Sequence, residues 1–137
     1  MRYFLLAFAV FLVAFAPTST VTFSDVRGTS EQDGILVQWS TSQESGIKDF
    51  AVEKASQINN QFFEIGRVAP TGAGSIYQFT DKQIYKTTSS SVFVYRIRAD
   101  GNDNSVVYSD PITVSYDFSG LSGVARRTWG SIKAMFR

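Results

Sequence analysis

The chain has 137 residues, and its content of 44% hydrophobic and 15% aromatic residues can build a folded core, which excludes wholesale disorder. It contains no cysteine and no histidine, which excludes disulfides, thiolate or imidazole metal sites and catalytic triads that need either residue. The net charge of +1 predicts no general attraction to nucleic acid.

This small net charge conceals two regions of opposite sign. Residues 18–117 carry eight Lys or Arg and all 12 Asp and Glu, a net charge of −4. Residues 118–137 carry four cations and no acid. An acidic body joined to a basic end predicts that the end has a function of its own.

The N-terminal segment is predicted to be an export signal. A single cation precedes an uninterrupted apolar run from Phe4 to Ala16, which suits a signal-peptide core and falls short of the roughly 20 residues that span a bilayer. Small residues end this run, but Pro17 disfavours cleavage directly after them, so we expect cleavage near 16–20. Residues 1–20 therefore predict a secreted, periplasmic or cell-surface protein. An uncleaved, short membrane anchor stays open as the alternative.

The body of the chain, 21–117, alternates apolar and polar residues between frequent turn signals, which is typical of β-strands. The first strand is expected to end at Arg27-Gly28, with a turn at Asp33-Gly34. Seven short strands are predicted, at 21–26, 35–40, 50–54, 62–68, 76–80, 92–99 and 112–116, with residues 106–108 leading to Pro111 just before the last strand. This spacing predicts an all-β fold: a seven-stranded, two-sheet antiparallel β-sandwich.

One face of each strand is apolar, and these faces define the predicted core. On the third strand Lys54 falls in register with the apolar residues, although it is charged. The predicted core residues are Trp39, Phe50, Val52, Phe93, Tyr95 and Ile97.

Several short motifs follow one another in a fixed order through the body. They are Val37-Gln38-Trp39-Ser40-Thr41, Phe50-Ala51-Val52-Glu53, Phe62–Val68, Tyr77–Asp81, Phe93–Ala99 and Ser109–Val114. On these motifs the body resembles the fibronectin type III domain, most closely the modules of secreted proteins from Bacteroidota-type bacteria. The resemblance implies an immunoglobulin-like sandwich with a buried Trp39 and a non-catalytic spacer or protein-binding role.

One position departs from that family. Phe93 stands where the family usually carries a tyrosine whose hydroxyl group bonds to the backbone at a corner of the sandwich. Since phenylalanine has no hydroxyl group, we predict a weaker corner.

Carboxylates are the remaining candidates for catalysis or metal binding. Asp100 and Asp103 flank a Gly-Asn pair, but the residues that follow break the calcium-loop pattern, so a polar hairpin turn is predicted. Glycoside hydrolysis would need two carboxylates converging in a cleft, which the pattern of a small sandwich does not predict. We therefore predict no catalytic residue, no cofactor and no metal site, and no enzyme.

The tyrosines suggest an alternative function, which is carbohydrate binding. A sugar-stacking platform would form if several of them were exposed together, although tyrosines on strands are more commonly half-buried. The tyrosines concerned are Tyr77, Tyr85, Tyr108 and Tyr116. On them rests the alternative of a carbohydrate-binding accessory module.

The C-terminal tail, 118–137, combines a flexible joint with a predicted short amphipathic helix. Residues 119–123 are rich in Ser and Gly, and Ala125, Trp129, Ile132 and Phe136 then recur at helical spacing. The cations lie largely off this stripe: Arg126, Arg127, Lys133 and Arg137. Three interpretations stay open: docking on the acidic sandwich, binding to an acidic partner or anionic membrane surface, and a terminal address for export or attachment.

These features together predict a non-catalytic exported interaction module for adhesion, assembly or scaffolding at the bacterial cell envelope. The expected partner is a protein or another envelope component, or an anionic membrane surface reached through the tail. The tail is expected to be the attachment or sorting element, with Trp129, Ile132 and Phe136 as its apolar anchors.

Overall fold

The computed structural model describes residues 18–56, 58–84 and 91–116, so the predicted export signal and C-terminal helix lie outside the described residues. The described residues form eight β-strands. These are β1 Thr20–Glu31, β2 Gly34–Ser45, β3 Ile47–Ala55, β4 Phe62–Val68, β5 Ile76–Asp81, β6 Ser91–Gly101, β7 Val106–Tyr108 and β8 Ile112–Tyr116.

The strands form two antiparallel sheets. The first sheet has three strands in the order β1-β2-β5, and the second has five, β4-β3-β6-β7, with β8 also paired to β6. The apolar faces of both sheets contribute to one core, which is the arrangement of a β-sandwich. The all-β, two-sheet antiparallel prediction is therefore confirmed.

The first hairpin differs from the prediction. Strand β1 does not end at Arg27-Gly28 but continues to Glu31, and the turn is Gln32-Asp33. Gly28 has a packing reason instead, because a Cβ atom there would lie 2.2 Å from Cγ2 of Val114 on β8. A glycine that resembles a turn signal in the sequence thus permits the close approach of two strands.

Residues 106–108, which the sequence predicts only to lead to the last strand, form a strand of their own, β7, before β8. Both β7 and β8 pair with β6 on the side away from β3, and residues 109–111 separate them. Ser109 is buried at this break, where its N–H donates to the carbonyl of Ile97 (2.8 Å) and its Oγ accepts from the Ile97 N–H (2.9 Å). Strand β7 is therefore the eighth strand, additional to the seven predicted.

The core lies between the sheets around Trp39. Its ring stacks on Tyr77 with centroids 5.4 Å apart and meets the edge of Phe50 at 6.0 Å. Among the described residues, the indole Nε1 has no hydrogen-bond partner, although it is buried. The six predicted core residues are all buried: Trp39, Phe50, Val52, Phe93, Tyr95 and Ile97.

The two chain segments outside the sandwich join it at different ends. The end that contains Ser19, Gly46 and Asp103 is called the closed end below. There, Ser19 Oγ donates to the carbonyl of Gly46 (2.7 Å), and the Ser19 N–H donates to Asp103 (3.1 Å). At the opposite end, called the pocket end below, Tyr116 at the end of β8 pairs with Ser91 at the start of β6. The N-terminal segment and the C-terminal tail therefore join the sandwich at opposite ends.

Candidate interaction sites at the pocket end and on the outer sheet face

The pocket end contains a cavity of about 450 Å³ between the two sheets. Its lining is mainly apolar: Ala55, Ile58, Phe63, Ile65 and Phe93. Two of these side chains are well exposed, Ile58 at 97% and Phe63 at 49%. The cavity thus offers apolar surface that the described residues leave uncovered.

A buried ion pair forms the floor of this cavity and joins the two sheets. Lys54 on β3 points inward, as its register predicts, and its Nζ lies 2.6 Å from Oδ2 of Asp81 on β5. The Lys54 ammonium also donates to the carbonyl of Gln83 (3.3 Å) and lies 4.6 Å from the ring centroid of Phe93. The two side chains are only 10% and 3% exposed, so each charge depends on the other for compensation.

The Asp81 carboxylate also accepts hydrogen bonds from two further donors. The Tyr95 hydroxyl donates to Oδ2 (2.8 Å), and the Gln83 N–H donates to Oδ1 (2.9 Å). Burial, and then the hydrogen bond to Asp81, raise the pKa of Tyr95 above its ordinary value, so its hydroxyl group stays protonated and acts as a donor. The floor is therefore an internally neutralised polar cluster under an apolar wall.

The outer face of the five-stranded sheet has a second charged cluster. Glu53 accepts from Arg96 Nε and Arg98 Nη1, both at 2.6 Å, and Arg98 also donates to Asp100 (2.8 Å). The hydrogen bond to Asp100 is the main cause that raises the pKa of Arg98. Arg67 donates to Glu64 and Asp100, so acids and bases on this face neutralise one another.

Aromatic rings cover part of this outer face. The Arg96 guanidinium lies 4.1 Å from the ring centroids of both Phe62 and Tyr108. Stacking of this kind holds the guanidinium plane in place and adds a cation–π attraction. The face therefore combines rigid planar groups with a balanced set of charges.

The tyrosines do not form an exposed group in the described part of the chain. Tyr77 and Tyr116 are buried, and their hydroxyl groups donate to Glu44 (2.8 Å) and the carbonyl of Gln32 (3.0 Å). Tyr108 is half-exposed but stacks on Arg96. Tyr85 lies outside the described residues.

Asp100 and Asp103 bind different partners. Asp100 pairs with Arg98, whereas Asp103 accepts from the Ser105 hydroxyl (2.6 Å) and the Ser19 N–H. The Ser105 hydrogen bond, followed by the Ser19 one, lowers the pKa of Asp103. Within residues 18–56, 58–84 and 91–116, no three Asp or Glu side chains are grouped so as to hold a metal ion.

Sequence reasoning did not single out the cavity. Lys54 and Asp81 lie 27 residues apart and on different sheets, so no local motif joins them. The available signal was a charged residue in an inward register beside Phe50 and Val52. The predicted attachment residues all lie outside the described residues: Arg126, Arg127, Trp129, Ile132, Lys133, Phe136 and Arg137.

Comparison with protein-family models gave no match to this chain, and no curated protein and no solved structure matched it. The described residues also contain no helix that is long and apolar enough to cross a membrane.

Proposed function

We propose that this protein is a non-catalytic exported interaction module that acts in adhesion, assembly or scaffolding at the bacterial cell envelope. The observation that carries the proposal is that the N-terminal and C-terminal segments join the sandwich at opposite ends. Ser19 lies at the closed end and Tyr116 at the pocket end, so a rigid body separates the two terminal segments. A spacer needs this arrangement, because it holds the attachment element at the end of the domain opposite to the N-terminal segment.

The C-terminal tail is the attachment or sorting element in this proposal. Trp129, Ile132 and Phe136 supply the apolar anchors, and the four cations of the tail supply attraction to an acidic partner or anionic surface. The resemblance to fibronectin type III modules supports the same role for the sandwich, because such modules are spacers and protein-binding units.

The first test is the intact mass of the native protein recovered from separate cell fractions. Loss of about the first 16–20 residues with the tail retained supports an exported protein whose tail works in the mature form. Loss of both ends makes the tail a sorting signal. A full-length mass in the membrane fraction contradicts the predicted cleavage and indicates an anchored envelope subunit.

The second test replaces the three anchors together, as Trp129→Ala, Ile132→Ala and Phe136→Ala. We expect loss of association with the envelope fraction, while the sandwich keeps its cooperative unfolding transition. Undiminished association contradicts the role of the tail. Loss of the cooperative transition would instead make the tail part of the folded core.

A further inference from the structure

The cavity at the pocket end presents an apolar wall without a cover among the described residues. Ile58 is almost fully exposed and Phe63 is about half exposed at its rim, and Ile65 and Phe93 line it further in. A volume of about 450 Å³ falls within the range of pockets that bind small molecules or large side chains, roughly 300–1,000 Å³. Apolar surface in a concave site of this size is typical of a binding site.

The floor of the cavity restricts the chemistry of its occupant. Lys54 and Asp81 neutralise each other, and the carboxylate already accepts from Tyr95 and from the backbone of Gln83. A charged ligand would have to break this buried cluster to find a partner. An uncharged, apolar side chain needs no such exchange, so it fits both the wall and the floor.

The tail of this chain begins beside the cavity. Tyr116, the last described residue, pairs with Ser91, and Ser91 lines the cavity. A further 21 residues follow Tyr116, and they contain Trp129 and Phe136. Twelve intervening residues reach up to about 40 Å when extended, so Trp129 can reach the cavity without strain.

The tail also matches the cavity in chemistry. Its apolar residues share one stripe at helical spacing, which is the pattern of a helix that lies in an apolar groove. Its four cations are opposite in sign to the net charge of −4 carried by residues 18–117, and the hairpin at the same end exposes Glu31 and Asp33. If the Ser- and Gly-rich residues 119–123 form the short joint that the sequence predicts, the tail is present at the cavity at an effective concentration in the millimolar range, which favours it over a free partner.

From these observations we infer that the cavity at the pocket end is a docking site for the apolar stripe of the chain's own C-terminal tail, with Trp129 as its leading anchor. This inference rests on the proposed function and deepens it. The docked tail covers the anchors that attachment needs, and an acidic partner or anionic surface competes with the cavity for the same residues. Attachment then requires release of the tail from the sandwich.

Disulfide trapping tests this docking in the exported chain with its complete tail. Because the chain has no native cysteine, the engineered pair supplies the only thiols. The first variant combines Gln83→Cys at the cavity with Thr128→Cys beside Trp129 in the tail. Gln83 is exposed, and its described contacts use backbone atoms, which the substitution retains. We expect an intramolecular disulfide that forms at least about tenfold faster than in the control pair below.

The matched control combines Gln32→Cys with the same Thr128→Cys. Gln32 is also exposed at the pocket end and its carbonyl accepts from Tyr116, so it lies beside the start of the tail but does not line the cavity. A tail that moves without docking would react with both positions at similar rates. Equal rates overturn the inference.

Addition of Trp129→Ala to the Gln83 pair identifies the anchor. We expect the rate to fall to that of the Gln32 control, and an unchanged rate overturns the assignment of Trp129. If the disulfides form between two chains, at a rate that rises with protein concentration, the tail docks on a second copy of the protein. This result overturns docking within one chain. If Gln83→Cys loses cooperative unfolding, Ser56→Cys places the thiol on the same cavity.

A variant of the cavity wall distinguishes failure of this inference from failure of the proposed function. Phe63→Ser removes a ring from the cavity wall and leaves every residue of the tail in place. We expect slower trapping and unchanged or stronger association with the envelope fraction. If trapping shows docking but the anchor variants still associate with the envelope, the proposed function fails while the docking site stands.

Discussion

The two ends of the sandwich are completed by different kinds of interaction. At the closed end, polar backbone groups and short side chains meet: Gly46 accepts from Ser19 and from the Asn102 N–H (2.8 Å), and Gly101 donates to Ser105 (2.8 Å). At the pocket end, a buried ion pair and a cavity that the described residues leave uncovered take their place.

This difference has a physical reason. Turn residues with polar side chains satisfy the backbone at the closed end and need no apolar cover. The pocket end instead places a long charged side chain in the inward register, and the space around it is lined by apolar residues. One end is therefore complete within the described residues, whereas the other has room for an additional segment.

Removal of Asp81 should have the largest effect on stability. Asp81→Ala leaves the buried Lys54 ammonium without its counter-charge, and we expect the free energy of unfolding to fall by about 3–5 kcal/mol in urea denaturation. The double variant Lys54→Met/Asp81→Asn removes both charges and keeps an acceptor for Tyr95. It should lose less than Asp81→Ala alone, and an equal or larger loss would show that the pair is not coupled.

A methyl group at the closed end should have the next largest effect. In Gly101→Ala the new Cβ would lie 2.5 Å from oxygens of Asp103 and Ser105 and 2.6 Å from Cβ of Ser19. Overpacking of this kind costs about 1–3 kcal/mol of unfolding free energy, measured by thermal or urea denaturation. The neighbouring Asn102→Ala, on an exposed residue, is the control. Similar stability of the two variants would mean that the closed end is loosely packed.

The point where the tail begins should show a smaller effect. Tyr116→Phe removes the hydroxyl group that donates to the carbonyl of Gln32 (3.0 Å) and keeps the buried ring. We expect a loss of about 0.5–1.5 kcal/mol in the free energy of unfolding. Tyr108→Phe, on a half-exposed ring, is the control and should be close to neutral. A neutral Tyr116→Phe would show that this bond does not hold the end of β8.

The smallest effect should be a pH dependence at the closed end. Hydrogen bonds from Ser105 and then Ser19 lower the pKa of Asp103 in the folded state, so its contribution to stability is present above the ordinary aspartate pKa of about 3.9 and is lost as the pH falls below it. Wild type should therefore exceed Asp103→Asn in melting temperature at about pH 7, and the gap should narrow near pH 2.5. A gap that widens in acid would contradict the lowered pKa.

Alternation of apolar and polar residues predicted where most of the strands lie and which of their residues face inward, but not where β1 ends or that β7 is a strand. On β6, for example, Phe93, Tyr95 and Ile97 are buried, while Arg96 and Arg98 face outward, as the period of two requires. The same alternation could not place Gly28, because its role is set by Val114 on a strand far along the chain. Local turn signals were therefore less informative than periodicity.

The sequence by itself determined which side of each strand faces the core, because side chains on a strand alternate between its two faces whatever the strand pairs with. Only the tertiary structure decided which strands become neighbours, that Lys54 meets Asp81 across the two sheets, and that the cavity opens where the C-terminal tail begins. These contacts join residues far apart in the chain, and long-range pairing is set by the packing of whole sheets rather than by local pattern.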